Sequence, residues 1–224
     1  MAKAAIYTGL FDTKTITVKE FITHGERTYA TNIGRIMSNP SLFDNITLLL
    51  ENLIKTKSLE YDRICATSVS AIPFATNIAT SVEKPIAWVV DNGNDREQKG
   101  NIAGLKVEGG IEIDDRVLLI ETVCSADFYL ENVISRIRKF GGQVVGVLVV
   151  LNICEGEYVN LLAGGESVYP LLNLFDIMTY LENNNMIELF YSEKIKFFCE
   201  KETKLNLNKL LSNSQLVNKY DTSA

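Results

Sequence analysis

"RVLLIETVCSADFYLENV", residues 116–133, decides the fold. Its first half is an unbroken apolar run, the pattern of a strand buried on both faces, and a short loop leads from it into a helix. Strand, loop and helix in that order form the unit from which parallel α/β sheets are built. The loop is also where such sheets hold phosphate, on the free backbone N–H groups of the helix N-terminus. Here the loop has no glycine. It carries Asp127, Phe128 and Tyr129 where an anion would need room, so the stretch that fixes the fold also raises the question of function.

The neighbouring segments repeat the same alternation. "LFDNITLLLENLI" (42–54) has apolar residues at helical spacing, and "SNPSLF" before it supplies a start signal. "YDRICATSV" predicts a short buried strand, "IPFATNIATSVE" a helix, and "KPIAWVV" a second strand. The polar stretch 91–110 contains five glycines and breaks all periodicity, which predicts a long loop or flap. "DDRVLLIE" is the third strand, "DFYLENVISRIRKFGG" a helix closed by Gly141, and "QVVGVLVVLN" the fourth strand. "YPLLNLFDIMTYLENNN" adds a strand end and a further helix. The reading is an α/β fold with a central parallel sheet flanked by helices. Residues 1–187 form the main domain, with its flap at 91–110, and 188–224 form a C-terminal extension, partly helical with a loose end.

Composition sets the outer bounds. The chain has 224 residues, 46% hydrophobic and 22% charged, enough for one good core. A net charge of -6 speaks against holding nucleic acid by bulk phosphate neutralisation, although "SRIRKF" and the Lys-rich tail leave a small basic patch. Cys65, Cys124, Cys154 and Cys199 are far apart and form no CxxC pair, so buried free thiols are expected and no metal site is. No secretory signal is apparent in "MAKAAIYTGLFDTKT", and "VVGVLVVL" (144–151) is too short to span a bilayer. A cytoplasmic protein with no membrane partner is expected. Abundant Asn, Ile and Lys are compatible with an AT-rich genome, such as that of a virus or parasite.

Most of the chain, in collinear order, resembles the orotate phosphoribosyltransferases, type I phosphoribosyltransferases that join orotate to phosphoribosyl pyrophosphate. "GERTYATNIGRIMSNP" looks like the stretch after that family's N-terminal hairpin. "ICATSVSAIPFATNIA" is similar to the segment where a Gly-rich turn precedes an Ala-Leu-Pro helix start. "KPIAWVV…KGNIAGLKVEGG" matches a strand plus the catalytic flap, and "RVLLIETVCSADFY" occupies the place of the phosphoribosyl pyrophosphate motif. The resemblance implies a type I phosphoribosyltransferase-like fold with an N-terminal hood segment.

It also implies where ligands would be met, and there the chain departs from the family. The motif uses two adjacent carboxylates and a Gly-rich loop; this chain has Glu121, then Thr122, then Ser125-Ala126-Asp127-Phe128-Tyr129. A charge at Asp127 about 4 Å from a phosphate would oppose binding by about 4 kcal/mol at an effective dielectric near 20. The pyrophosphate cations are replaced by Val90, Asp91 and Asn94, with Arg96, Lys99 and Lys106 nearby in the flap. The Lys-Ser-Gly turn of the nucleobase pocket is Thr23-His24-Gly25, and its Asp-Arg pair is Asn152-Ile153. Glu121, Thr122, Ser125, Asp127 and Lys99 are thus candidate vestigial ligand positions. For several of them a plainer reading is available. Glu121 suits a cap on the next helix, Ser125 a helix start, and Lys99 a solvated loop.

The expectation is a non-catalytic, orotate phosphoribosyltransferase-like protein with no catalytic residues and no cofactor. It would be a homodimer that scaffolds or regulates a protein partner. The helix "FYLENVISRIRKF" and the tail "LFYSEKIKFF" carry more large apolar groups than surface helices need. Two alternatives stand beside it. One is a divergent, active phosphoribosyltransferase of pyrimidine nucleotide synthesis, which would use magnesium. The other, less favoured by the acidic balance, is a nucleic-acid-associated regulator.

Overall fold

The computed structural model describes residues 34–91, 105–125, 129–154 and 166–213. A four-residue helix α1 (Gly34–Met37) leads into α2 (Pro40–Thr56). Asn39 caps α2, its Oδ1 accepting the Leu42 N–H at 3.2 Å, and Pro40 sits at the first helical position, where its missing N–H loses nothing. Strand β1 (Arg63–Ala66) follows, then a 3-10 turn (Val69–Ala71), α3 (Ile72–Ser81) and β2 (Ile86–Asp91). After β3 (Leu105–Glu108) come β4 (Arg116–Cys124), α4 (Tyr129–Lys139), β5 (Gln143–Asn152) and β6 (Val168–Asn173). Helices α5 (Leu174–Asn183) and α6 (Leu189–Asn213) complete the described chain.

Six strands form one sheet in the order β3-β2-β1-β4-β5-β6. All neighbours are parallel except β3, which runs antiparallel to β2. The apolar runs divide by parity between two layers, as strands covered on both faces must. Leu118, Ile120, Leu148 and Val150 face a core built with Ile46, Leu50, Phe74, Ile177 and Ile195. Val117, Leu119, Val147 and Val149 face the other, closed by Leu130, Val133, Ile134 and Ile137 of α4. That accounts for the apolar groups of "FYLENVISRIRKF": α4 spends them on the sheet. Phe140, just after α4, is exposed and lies under the Arg136 guanidinium at 4.9 Å.

Gly141 ends α4 with φ +90 and its N–H on Arg138 O, the left-handed closure the sequence predicted. The reading of 91–110 as a single loop needs correction. Residues 105–108 form an edge strand, because Leu105 and Val107 alternate with polar residues and ladder against Val89 and Asp91. The surrounding glycines hid that alternation. The four cysteines are buried and none is in a disulfide, as expected.

At the amino edge of the sheet two Asp-Arg pairs cross. Arg63 Nε meets Asp115 Oδ2 at 2.7 Å, while Arg116 meets Asp62 through Nε and Nη2, both at 2.9 Å. This clamps the start of β1 to the start of β4. The two strands then run side by side to the opposite edge, where chemistry is to be sought.

Candidate functional site

From the centre of the sheet the chain winds outward in two directions, β1 to β2 on one side and β4 to β5 and β6 on the other. The switch point therefore lies between the carboxyl ends of β1 and β4, the position where open α/β sheets bind ligands. Each strand delivers one short polar segment there. From β1 come Thr67, Ser68 and Ser70; from β4 come Glu121 and Thr122.

These side chains are joined to one another. Glu121 is 6% exposed, and its carboxylate is filled from within the chain. Thr67 Oγ1 donates to Oε2 at 2.5 Å, and Oε1 accepts Ser68 Oγ at 2.8 Å and the Thr122 N–H at 2.5 Å. Thr122 Oγ1 donates to the same oxygen at 3.1 Å, while Ser70 Oγ lies 2.7 Å from Thr122 Oγ1. The carboxylate thus accepts four donors from its own chain, three on Oε1 and one on Oε2, with Thr67 and Thr122 themselves buried. Tyr129, the first residue of α4, closes the mouth: its hydroxyl donates to Thr67 O at 2.5 Å. Among the described side chains of this cluster Glu121 is the one formally charged.

Glu121 therefore does not cap α4, as the sequence suggested. Apart from its neighbour Thr122, its described partners lie 53 and 54 residues back in the chain, on the loop after β1. Thr122 is drawn into the same network, and Ser125 is half-buried just beyond the end of β4. Asp127 and Lys99 lie outside the described residues, as do Arg96, Asn94 and the Thr23-His24-Gly25 turn. Lys106 lies in β3 and is paired to Glu108 at 2.5 Å. At the end of β5, Asn152 turns its side chain inward, accepting the Cys154 N–H at 3.0 Å and donating to Asn173 Oδ1 at 3.2 Å. Ile153 beside it is buried. The missing signal for the cluster was "TSVS" (67–70): hydroxyl side chains directly after a buried strand are donors waiting for an acid.

Among the described residues no three His, Cys, Asp or Glu side chains converge, and the Glu121 oxygens are already occupied by donors. A cleft of about 450 Å³ opens instead at the amino edge, where Tyr61, Lys84 and Arg116 line it. Its guanidinium is spent on Asp62 and Glu60. Burial, and then the nearby Glu51 carboxylate, push the Tyr61 phenol up.

Comparison with known proteins agrees with this architecture. No family model matches the chain. The orotate phosphoribosyltransferase of Pyrococcus abyssi is 28% identical over 152 residues, 68% of this chain and 81% of that protein. The crystal structure of orotate phosphoribosyltransferase from Aeropyrum pernix superposes with a TM-score of 0.65 at 20% identity, covering 82% of this chain and 99% of that one. Leishmania donovani UMP synthase gives a TM-score of 0.67 at 18% identity over 89% of this chain, which spans 42% of that protein's length. Among the described residues no helix is long and apolar enough to cross a membrane. With its six-stranded, mostly parallel sheet the chain has the type I phosphoribosyltransferase fold, and it is similar in sequence to orotate phosphoribosyltransferases.

Proposed function

We propose that this is a non-catalytic orotate phosphoribosyltransferase-like protein, a cytoplasmic homodimer that works by binding and so scaffolds or regulates another protein. One observation carries the reading: the carboxylate at the switch point is satisfied by its own chain, under a tyrosine bridge from α4 to the end of β1. Ligand would have to displace four donors from Glu121 and then place a phosphate beside the exposed carboxylate. Glu121, Thr122 and Ser125 are on this reading remnants of ligand positions, now structural.

The 28% identity to the Pyrococcus abyssi enzyme over most of its length favours a second reading, a divergent phosphoribosyltransferase. One pair of experiments separates the two. Orotate, phosphoribosyl pyrophosphate and magnesium are incubated with the purified chain and orotidylate is measured; the same chain is titrated calorimetrically with phosphoribosyl pyrophosphate and magnesium at low salt. The non-catalytic reading expects no product and no heat. Product formed by the wild-type chain and lost in Glu121→Ala would establish the enzyme instead.

A further inference from the structure

The cleft of about 450 Å³ at the amino edge lies at the far end of β1 and β4 from the switch point, and its volume is that of a small-molecule site. Helices α2 and α3 end on it in the same way. Ser58 and Glu83 close them with φ +50 and +52, and the next N–H groups turn back, Leu59 to Ile54 O at 3.1 Å and Lys84 to Ala79 O at 3.0 Å. These closures set Leu59 and Lys84 into the wall, which is fixed before any ligand arrives. Ile54, Leu59 and Val82 make that wall apolar, and all three pack in or against the main core.

Tyr61 is the anomaly of this cleft. It lines the cleft and is only 9% exposed, yet its hydroxyl has no hydrogen-bond partner among the described residues. A phenol at that depth normally finds an acceptor, and burial together with the Glu51 carboxylate keeps this one in its neutral, donating form. The carboxylates of the rim are engaged elsewhere. Glu60 accepts from Arg116 at 2.9 Å, and Glu51 accepts the Ser81 hydroxyl at 2.5 Å. Lys55 and Lys84 are exposed on the same rim, and among the described residues neither has an ion-pair partner within 4 Å.

We propose that this cleft binds a small monocarboxylic acid with an apolar body. The Tyr61 hydroxyl donates to a carboxylate oxygen, Lys55 and Lys84 balance the charge, and the body rests on Ile54, Leu59 and Val82. The lining selects the valence as well. Three cations face two carboxylates there, which leaves one positive charge, so a monoanion balances it and a dianion does not. The proposal goes beyond the proposed function and stands whether or not the switch point is catalytic. An occupant would join the ends of α2 and α3 to the starts of β1 and β4.

Phenylacetate is the probe, titrated into the full chain and followed by saturation-transfer NMR. Benzyl alcohol serves as its uncharged counterpart and inorganic phosphate as a charge without an apolar body. Phenylacetate is expected to saturate one site with a Kd of about 1 mM or tighter, and the other two to bind at least about tenfold more weakly. Tyr61→Phe should weaken phenylacetate about tenfold by removing one bond to a charged acceptor, and the double variant Lys55→Gln/Lys84→Gln by about as much. Because the hydroxyl bonds nothing in the free chain, Tyr61→Phe should melt no lower than wild type, which separates lost binding from lost folding. Phenylacetate that does not saturate overturns the proposal, as does binding that both variants leave unchanged. Equal affinity for benzyl alcohol would make the cleft an apolar groove only, and equal affinity for phosphate a basic patch only; either result discards the carboxylate. A Tm lowered by about 3 °C or more in Tyr61→Phe would show the hydroxyl held by the fold itself, and this too overturns the proposal.

Discussion

Asp62 takes three hydrogen bonds from Arg116, from its backbone N–H at 3.1 Å and from Nε and Nη2 at 2.9 Å each, and this ties the residue before β1 to the first residue of β4. The reciprocal pair, Arg63 with Asp115, is more deeply placed, with side chains 10% and 15% exposed.

Both aspartates make the fold sensitive to acid. Arg116, through its side chain and then its backbone N–H, holds the Asp62 carboxyl well below the usual carboxylate range. For Asp115, burial opposes ionisation, but the Glu112 N–H and the Arg63 guanidinium outweigh it, and the pKa is lowered there too. A carboxyl whose pKa is depressed by folding stabilises above its unfolded value, about 3.9, and loses that contribution as pH falls toward its folded value. The Tm is therefore expected to be flat from about pH 7 to 5 and to fall below about pH 4. Asp62→Asn should lower the Tm at neutral pH and flatten the acid limb. Its pair with Arg116 is 42% and 41% exposed, so that effect is modest, whereas Asp115→Asn, which leaves Arg63 nearly buried without its partner, should lower the Tm further.

Glu121→Ala removes the acceptor shared by the Thr67, Ser68 and Thr122 hydroxyls and the Thr122 N–H, leaving Thr67 only Ile120 O at 3.1 Å and the other two hydroxyls only Ser70 Oγ. Its cost is expected to be about 2–3 kcal/mol, read as a lower urea midpoint at unchanged slope. Glu121→Gln keeps one acceptor oxygen but turns a donor toward donors, and should cost about 1–2 kcal/mol. Tyr129→Phe removes a single hydrogen bond, for about 1 kcal/mol. A carboxylate held for ligand alone would show the opposite pattern, with stability unchanged or raised by its removal.

The elements of the sheet could be read from sequence because burial on both faces demands unbroken apolar runs, and β4 and β5 have them. The loop after β4 as the place for a ligand followed from the same alternation. Pairings that close over 52 to 54 residues were not readable. Arg63 and Asp115 are 52 apart, as are Ser70 and Thr122, and no local spacing links them. The doubled Asp-Arg before β1 and β4 is a sequence signal only once the strands are known to be neighbours. Strand β3 stayed hidden because an edge strand of four residues between glycines needs only two inward side chains, too few to set a period.

Glycines 109 and 110 both have positive φ, +82 and +72, but differ in their surroundings. A Cβ on Gly109 would lie 2.5 Å from Ile86 O and 3.0 Å from Ala87 Cα, both backbone atoms of β2 that cannot swing aside. Gly110 has nothing within 4 Å. Gly110→Ala is expected to cost about 1 kcal/mol for the left-handed backbone alone, and Gly109→Ala about 3 kcal/mol or more. Chemical denaturation of the two variants side by side checks the difference.

Thiol reagents should find the native protein inert. All four cysteines are buried, and burial pushes the Cys65 thiol up to about 12, with Arg63 acting in the opposite sense. At pH 8 a disulfide reagent such as dithionitrobenzoate should release no colour within minutes from the native chain, and four equivalents after unfolding in guanidinium.

The closed network around Glu121 bears on how such sites are inherited. An acid that serves a ligand has, once hydroxyl side chains on the neighbouring strand settle on it, a second reason to persist: its loss would then weaken the fold whether or not any ligand still came. On the non-catalytic reading, selection on folding alone would preserve Glu121 even where neighbouring ligand positions changed. In lineages that share the Thr67–Glu121 contact, survival of the motif acid records the persistence of the fold, and the fate of the chemistry has to be judged from the residues that bear no load.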